Sequence, residues 1–360
     1  MAGSRRRLTL AMLAGALAAW PALRVRAQAA PSGVSVPASG PAGAALRLSA
    51  QDLAPVLEQA RTLRRLQTLL VAQEGRLVVG EAFGGASLDR PTNLKSISKS
   101  LLSALVGRAI AEGAVPDVRA RAVSLLGRPL PAQADPRVKD ITVEDLLTMR
   151  AGLERTSGQY YGRWIASANW VDYVLTRPMV AEPGGVMLYS TGSTHLLSAI
   201  LTAQTGRSTL ALARTWLGEP LGIAFSPWDR DPQGIYLGGN NMALSPRALL
   251  RVGELYRQGG LADGERVLPA DWITASWLAR TRSPFTGDGY GYGWFVSQVA
   301  GEPLYYAWGY GGQLLYILPG LGLTVVFTSD TSAPTGSDGY ARMLHQTLLG
   351  RIVAAAQGRA

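Results

Sequence analysis

The stretch Leu94-Lys95-Ser96-Ile97-Ser98-Lys99-Ser100-Leu101 decides how the rest of the chain is read. It holds one Ser-x-x-Lys pair, Ser96 with Lys99. At helical spacing these side chains lie on one face, one above the other. A serine hydroxyl is a poor nucleophile until a neighbour takes its proton. A lysine does that when burial lowers its pKa toward neutrality. The chain has only three lysines, Lys95, Lys99 and Lys139, so the pair is no by-product of a lysine-rich surface. Taken alone, the tetrapeptide fits a polar helix start with a solvated lysine equally well. Its surroundings have to decide.

Downstream of Ser96 comes an apolar body, Leu101, Leu102, Ala104, Leu105, Val106 and Ile110, which predicts a buried helix ended by Gly113. Upstream, residues 67–84 read as a hairpin, with Gln73-Glu74-Gly75-Arg76 as its turn. Before it, Ser49-Ala50-Gln51-Asp52 opens a helix with Leu53, Val56, Leu57, Ala60 and Leu63 at helical spacing. Beyond residue 113 the pattern turns helical and irregular. Thr142 and Asp145 form a capping-box variant ahead of an apolar turn. Residues 157–173 are dense in aromatics, which serve either as a pocket wall or as packing of a small helical lobe. Helices are expected over 194–205, over 210–217 with Gly218 ending it, after Ser245-Pro246, and over 271–278.

The last hundred residues change character. Residues 292–296, 304–308, 313–318 and 323–328 read as successive antiparallel strands joined by Gly/Pro turns, followed by a helix over about 337–353. Strands at both ends with a helical insert between them predict an α+β fold, its antiparallel sheet formed from both chain ends and flanked by helices. The main domain is expected over 49–355. Its α/β part comprises 49–112 and 285–355, and 113–284 forms a mainly helical second lobe.

Composition excludes several chemistries. The formal net charge of +10 falls to +5 without the five arginines at 5, 6, 7, 24 and 26, and no basic run remains. That is no nucleic-acid footprint. With no cysteine there is neither disulfide nor thiolate chemistry. The only histidines are His195 and His345, with no Gly-x-Ser-x-Gly elbow and no His-Glu-x-x-His. A Ser-His-Asp hydrolase and a metal hydrolase are therefore both disfavoured. No Walker A run is present, and neither cofactor nor metal is expected. Residues 1–29, a charged start, an apolar core and Ala27-Gln28-Ala29, read as a signal peptide, with Ser-Arg-Arg-x-Leu resembling a twin-arginine signal. Residues 30–48, rich in Pro, Gly, Ser and Ala, read as a linker. The mature protein is then exported, periplasmic or secreted, without a stable membrane span. Oligomeric state is open.

The order of the pieces resembles the serine beta-lactamase and penicillin-binding-protein superfamily over residues 50–355. Within it, the chain resembles the class C beta-lactamase, esterase and 6-aminohexanoate-oligomer hydrolase branch. Ser96-Ile97-Ser98-Lys99 stands at that family's first motif, and residues 141–153 look like the helix after it. Tyr189-Ser190-Thr191 stands where the family has Tyr-x-Asn, and Tyr290-Gly291-Tyr292-Gly293-Trp294 resembles the start of its C-terminal sheet. Two departures matter. Thr191 replaces the asparagine, and the third motif, Lys-Thr-Gly or His-x-Gly on a sheet-edge strand, is here Trp308-Gly309-Tyr310-Gly311-Gly312-Gln313, without a cation. Penicillins and peptidoglycan stems carry a carboxylate for such a cation to meet. The resemblance therefore implies action on a small-molecule ester or linear amide, ahead of beta-lactamase or DD-peptidase action and ahead of a non-catalytic penicillin-binding-like sensor.

The same resemblance implies roles for single residues. Ser96 is the nucleophile, and Lys99 and Tyr189 share the proton work. The Ser96 N–H and one from the third-motif strand, Tyr310 or Gly312, would form the oxyanion hole. The absence of a side chain at Gly309 and Gly311 would let a substrate strand lie close, and Trp308 is a further substrate-binding candidate. Asn240 either supports Tyr189, lines the pocket or is a turn asparagine.

Overall fold

The computed structural model describes residues 48–332 and 339–359. The expected signal peptide, and all but the last residue of the expected linker, lie outside the described residues. The segment expected to open the first helix is instead a turn with a reciprocal bond, ahead of helix α1 (Ala54–Thr62), whose N-cap Leu53 has no side-chain cap. The Ser49 N–H donates to Asp52 Oδ2 at 2.8 Å and the Asp52 N–H to Ser49 Oγ at 3.3 Å. The helix begins two residues after Asp52, with Pro55 in its first turn, where a missing N–H costs nothing. Strands β1 (Leu66–Gln73) and β2 (Arg76–Ala82) follow as a hairpin. Its turn residues Glu74 and Gly75 have φ of +48° and +77°, the left-handed pair that a tight hairpin's twist requires.

The C-terminal part supplies β3 (Thr281–Arg282), β4 (Gly289–Tyr290), β5 (Phe295–Val299), β6 (Glu302–Gly309), β7 (Gln313–Leu318) and β8 (Leu323–Ser329). The eight strands form one sheet in the order β2-β1-β8-β7-β6-β5-β4-β3. β8 therefore lies between β1 and β7, antiparallel to both, and it joins the two ends of the chain as expected. The hydroxyls of Thr68 and Thr328 meet across the β1/β8 seam at 2.6 Å.

Side chains of a strand alternate between faces, and here both faces are covered. Leu70, Leu315, Ile317 and Val326 pack toward α2 (Ser98–Ala111) and the helix Pro246–Arg257. Leu69, Leu314, Tyr316, Val325 and Phe327 pack toward α1 and the C-terminal helix Leu349–Ala356. Hence β7 and β8 are buried along their whole length rather than on alternate residues.

The helical lobe gathers around α3 (Thr191–Thr205), which packs on α2 and on the helices Val143–Leu147 and Trp170–Leu175. The capping box of Thr142 and Asp145 is formed in both directions. Several boundaries differ from the sequence reading. α3 starts at Thr191 rather than 194, because Thr156 and Ser157 take over its first amides. The helix expected to end at Gly218 continues through a π turn to Leu221 and stops at Gly222, φ +59°. The strand expected from 292 begins at Phe295, since Gly293 (φ +77°) turns the chain against α2, where its carbonyl accepts Ser100 Oγ at 2.6 Å. The last helix is described from Tyr340, and the start expected at 337 lies outside the described residues.

Candidate active site

Ser96 lies not in α2 itself but in a 3-10 turn, Lys95–Ile97, that leads into it. Lys95 holds φ +50°, a left-handed conformation that costs a residue with a Cβ about 1–3 kcal/mol. The Asn93 side chain helps to stabilise it, Oδ1 accepting the Lys95 N–H at 2.9 Å. Such strain sits where a site needs a side chain presented in a fixed way. The turn leaves the Ser96 N–H with no acceptor among the described residues.

Lys99, in the first turn of α2, is only 2 % exposed. Its Nζ lies 3.2 Å from Ser96 Oγ, 3.2 Å from Thr191 Oγ1 and 2.7 Å from the Gly239 carbonyl. Burial lowers its pKa to about 7, and no carboxylate opposes that shift. A protonated lysine would be stripped of water here with three neutral partners, so the neutral amine is populated at physiological pH.

Tyr189 immediately precedes the entry to α3, and its ring centroid lies 4.9 Å from Lys99 Nζ. Burial pushes its hydroxyl up to about 12, against the pull of a hydrogen bond with Ser96. Tyr189 is thus a phenol at neutral pH, able to pass a proton but not to serve as a standing base. The backbone beyond it is clamped: Ser157 Oγ accepts the Thr191 N–H at 2.8 Å and pairs with Thr191 Oγ1 at 2.9 Å.

The third-motif strand β6 touches the turn that carries Ser96. A Cβ on Gly309 would strike the Leu94 carbonyl and come within 3.1 Å of Lys95 Cβ. Gly309 therefore makes room for the protein's own Lys95–Ile97 turn rather than for a substrate strand. β6 is not a sheet edge, since β5 and β7 flank it. However, its pairing with β5 stops at Tyr306, which leaves 307–309 open on that side. Residues 310–312 are the hairpin loop between β6 and β7. Alternation fails at Gly312, because Gly311 and Gly312 have φ of +89° and +96°. The Gly312 carbonyl accepts Ser329 Oγ, and its Cα faces Tyr340 and Leu344, away from Leu94 and Lys95. The Tyr310 N–H has no acceptor among the described residues, and Tyr310 is 44 % exposed. Trp308, half-buried, packs near Phe295.

Asn240 bonds Tyr161 rather than Tyr189, Nδ2 to the phenol oxygen at 3.0 Å. Among the aromatics of 157–173, Trp164 and Trp170 are core packing, and only Tyr161 joins the site through Asn240. Neither histidine partners Ser96. His195 is fully buried against Asp231, and His345 bonds Tyr316. Among the described residues no three acidic or histidine side chains gather as a metal site. Two partners of Lys99 escaped the sequence reading as such. Thr191 stood only as a replaced asparagine, and a backbone carbonyl such as that of Gly239 carries no residue-type signal, although Gly238-Gly239-Asn240 marked an unusual turn.

Comparison with known proteins places this arrangement. A family model described as Beta-lactamase matches residues 59–349. Among solved structures, the chain is similar to a "Putative 6-aminohexanoate-dimer hydrolase" from Bacillus anthracis, with 20% identity, TM-score 0.68, 84% of this chain and 81% of that one. It is similar also to EstCE1, a hydrolase with promiscuous acyltransferase activity, with 18% identity, TM-score 0.66, 86% and 98%. A family VIII carboxylesterase gives 17% identity, TM-score 0.66, 87% and 99%. No curated protein matches the chain. At these identities the structures establish the shared fold, which is beta-lactamase/transpeptidase-like.

Proposed function

The chain belongs to the beta-lactamase family, and on that premise we propose that it is a serine hydrolase cleaving esters or linear amides through an acyl-enzyme on Ser96. One observation carries the reading: a lysine with no countercharge, held near neutrality by burial, stands 3.2 Å from a serine hydroxyl. In the proposed cycle Lys99 takes the Ser96 proton as Oγ attacks the carbonyl carbon. The tetrahedral oxyanion is held by the N–H groups of Ser96 and Tyr310. A donor of this kind is worth about 2.7–4 kcal/mol in the transition state. Tyr189 gives its proton to the leaving alcohol or amine and recovers one from Lys99. A water then attacks the ester at Ser96 while the same pair accepts its proton, and Ser96 leaves reprotonated.

The preference for esters and linear amides over beta-lactams is supported by the third motif, which offers Trp308 where a cation would meet a substrate carboxylate. The fold shared with an aminohexanoate-dimer hydrolase and carboxylesterases supports it as well. Export is part of the proposal, on the strength of the arginine-led apolar start. The experiment is a turnover assay of residues 30–360 and of Ser96→Ala. Its substrates are p-nitrophenyl butyrate, a linear aminohexanoate dimer and a chromogenic cephalosporin. Turnover of the ester or the dimer, lost in Ser96→Ala, is the expected result. Cephalosporin turnover alone would overturn the substrate preference, and unchanged ester hydrolysis in Ser96→Ala would overturn the nucleophile.

A further inference from the structure

Behind Lys99 lies a second buried pair that the proposed cycle does not use. His195, on α3 one residue past Thr194, has no exposed surface, and the side chain of Asp231 is equally enclosed. The imidazole Nε2 lies 3.2 Å from Asp231 Oδ2, and Nδ1 accepts the Gly238 N–H at 3.3 Å. Since Nδ1 is an acceptor there, the ring proton sits on Nε2 and is donated to Asp231. Trp164 and Trp170 hold the ring edge-on, with centroids 5.6 and 5.4 Å away. Asp231 in turn organises its own loop, Oδ1 accepting the N–H groups of Gln233 and Ile235.

This loop returns directly to the lysine. Thr194 Oγ1 shares its one proton between the Thr191 carbonyl at 2.9 Å and the Gly238 carbonyl at 3.1 Å. Gly238 lies so close to α3 that a Cβ on it would come within 2.7 Å of His195 Cα. A Cβ on Gly239 would meet Lys99 Cγ at 2.8 Å, and the Gly239 carbonyl is the shortest contact of Lys99 Nζ, at 2.7 Å. Residues 238–239 are thus a backbone wall pressed between α3 and Lys99. They both enclose the amine and offer it an acceptor.

We infer that His195 is a positioning residue for Lys99: joined to Asp231, it holds the Gly238 amide and so fixes the Gly239 carbonyl against the lysine amine. His195, which the sequence already set apart from a Ser-His-Asp triad, acts here through backbone, one layer behind the reacting atoms. The inference rests on the role proposed for Lys99. The groups facing Lys99 are the Ser96 and Thr191 hydroxyls, the Tyr189 ring and the Gly239 carbonyl, none of them charged. Those facing His195 are Asp231, the Gly238 amide and the two indoles. Tyr189, pushed up to about 12, stays protonated through the range of interest.

The test is the acid limb of kcat/KM for p-nitrophenyl butyrate in two variants. His195→Gln keeps a donor for Asp231 but places no acceptor at the Nδ1 position for the Gly238 N–H. His195→Asn keeps an acceptor near the Nδ1 position and loses Asp231. Slackening of 238–239 admits water to Lys99, which raises its pKa toward the ordinary lysine value, and the neutral amine then requires higher pH. In His195→Gln we expect the limb to move up by roughly one pH unit, with kcat falling and KM nearly unchanged. In His195→Asn the limb should stay near its wild-type position even though Tm falls. Equal limbs in wild type and both variants, with only Tm lowered, would overturn the inference. Should His195→Gln fail to fold, Thr194→Val cuts the other tie to Gly238; an upward limb supports the inference and an unmoved one overturns it. Ser96→Ala assayed alongside separates the two ideas. Full activity there sinks the hydrolase reading itself, whereas an inactive Ser96→Ala with an unmoved His195→Gln limb sinks only the positioning role.

Discussion

Lys99 binds its proton far less tightly in the folded chain than in the unfolded one, with a pKa near 7 against 10.5, and this difference costs stability. Between those values the unfolded chain holds more protons, so stability rises with pH across that window. Below about pH 7 the penalty is fully present, on the order of 5 kcal/mol before packing is counted. Lys99→Met should therefore raise Tm at pH 6 while abolishing turnover, and the gain should shrink toward pH 10.5. A Tm lowered at pH 6 would contradict the buried, uncompensated amine. For the wild type the same direction predicts an acid limb of kcat/KM near pH 7, lost in no buffer or salt titration, because no charged partner sets it. Thr191→Val removes one of the lysine's three acceptors, and kcat should fall about tenfold, in line with the loss of one hydrogen bond; an unchanged kcat would leave Thr191 a packing residue. At this scale the sequence was legible where chemistry is local. Ser96 and Lys99 are three residues apart on one turn. Thr191 lies 92 positions from Lys99, and Gly239 acts through a carbonyl that every residue type possesses.

The elements around the site show why strict periodicity reads some segments and misreads others. The β1/β2 hairpin and the capping box at Thr142 follow from local stereochemistry and were readable. The loop 310–312 defeats alternation because two glycines with positive φ reverse the face that Gly312 presents. The start of β5 was displaced by the long-range contact of Gly293 with Lys99 and Ser100, which no local pattern carries, and the helix runs past Gly218 because Gly222, not Gly218, takes the positive φ. The nucleophile turn depends on a similar close approach. Gly309→Ala would drive a methyl group into the Leu94 carbonyl and push the Lys95–Ile97 turn off β6. We expect kcat to drop at least a hundredfold with a far-UV spectrum unchanged; wild-type kcat in Gly309→Ala would show that the turn does not rely on β6.

For the whole molecule, the sheet closes only when β8 enters between β1 and β7, so the order of folding is constrained by the last strand to be made. A chain ending at residue 318 lacks that strand and should show no cooperative thermal transition; a cooperative melt would mean that the N-terminal hairpin and β7 are stable apart. Joining of the chain ends was visible in the sequence, because apolar strand runs stand at both ends with a helical insert between them. The lobe's packing around α3 was not, since short helices there take their places from each other rather than from strong periodicity. The central claim, a nucleophile at Ser96, reduces to one mass. Intact-protein mass spectrometry after brief mixing with p-nitrophenyl butyrate and an acid quench, followed by peptide mapping, would locate any acyl group. The account predicts a single butyryl adduct on the peptide carrying Ser96, absent in Ser96→Ala. An adduct on another residue, or turnover of the ester with no adduct that Ser96→Ala removes, would contradict it.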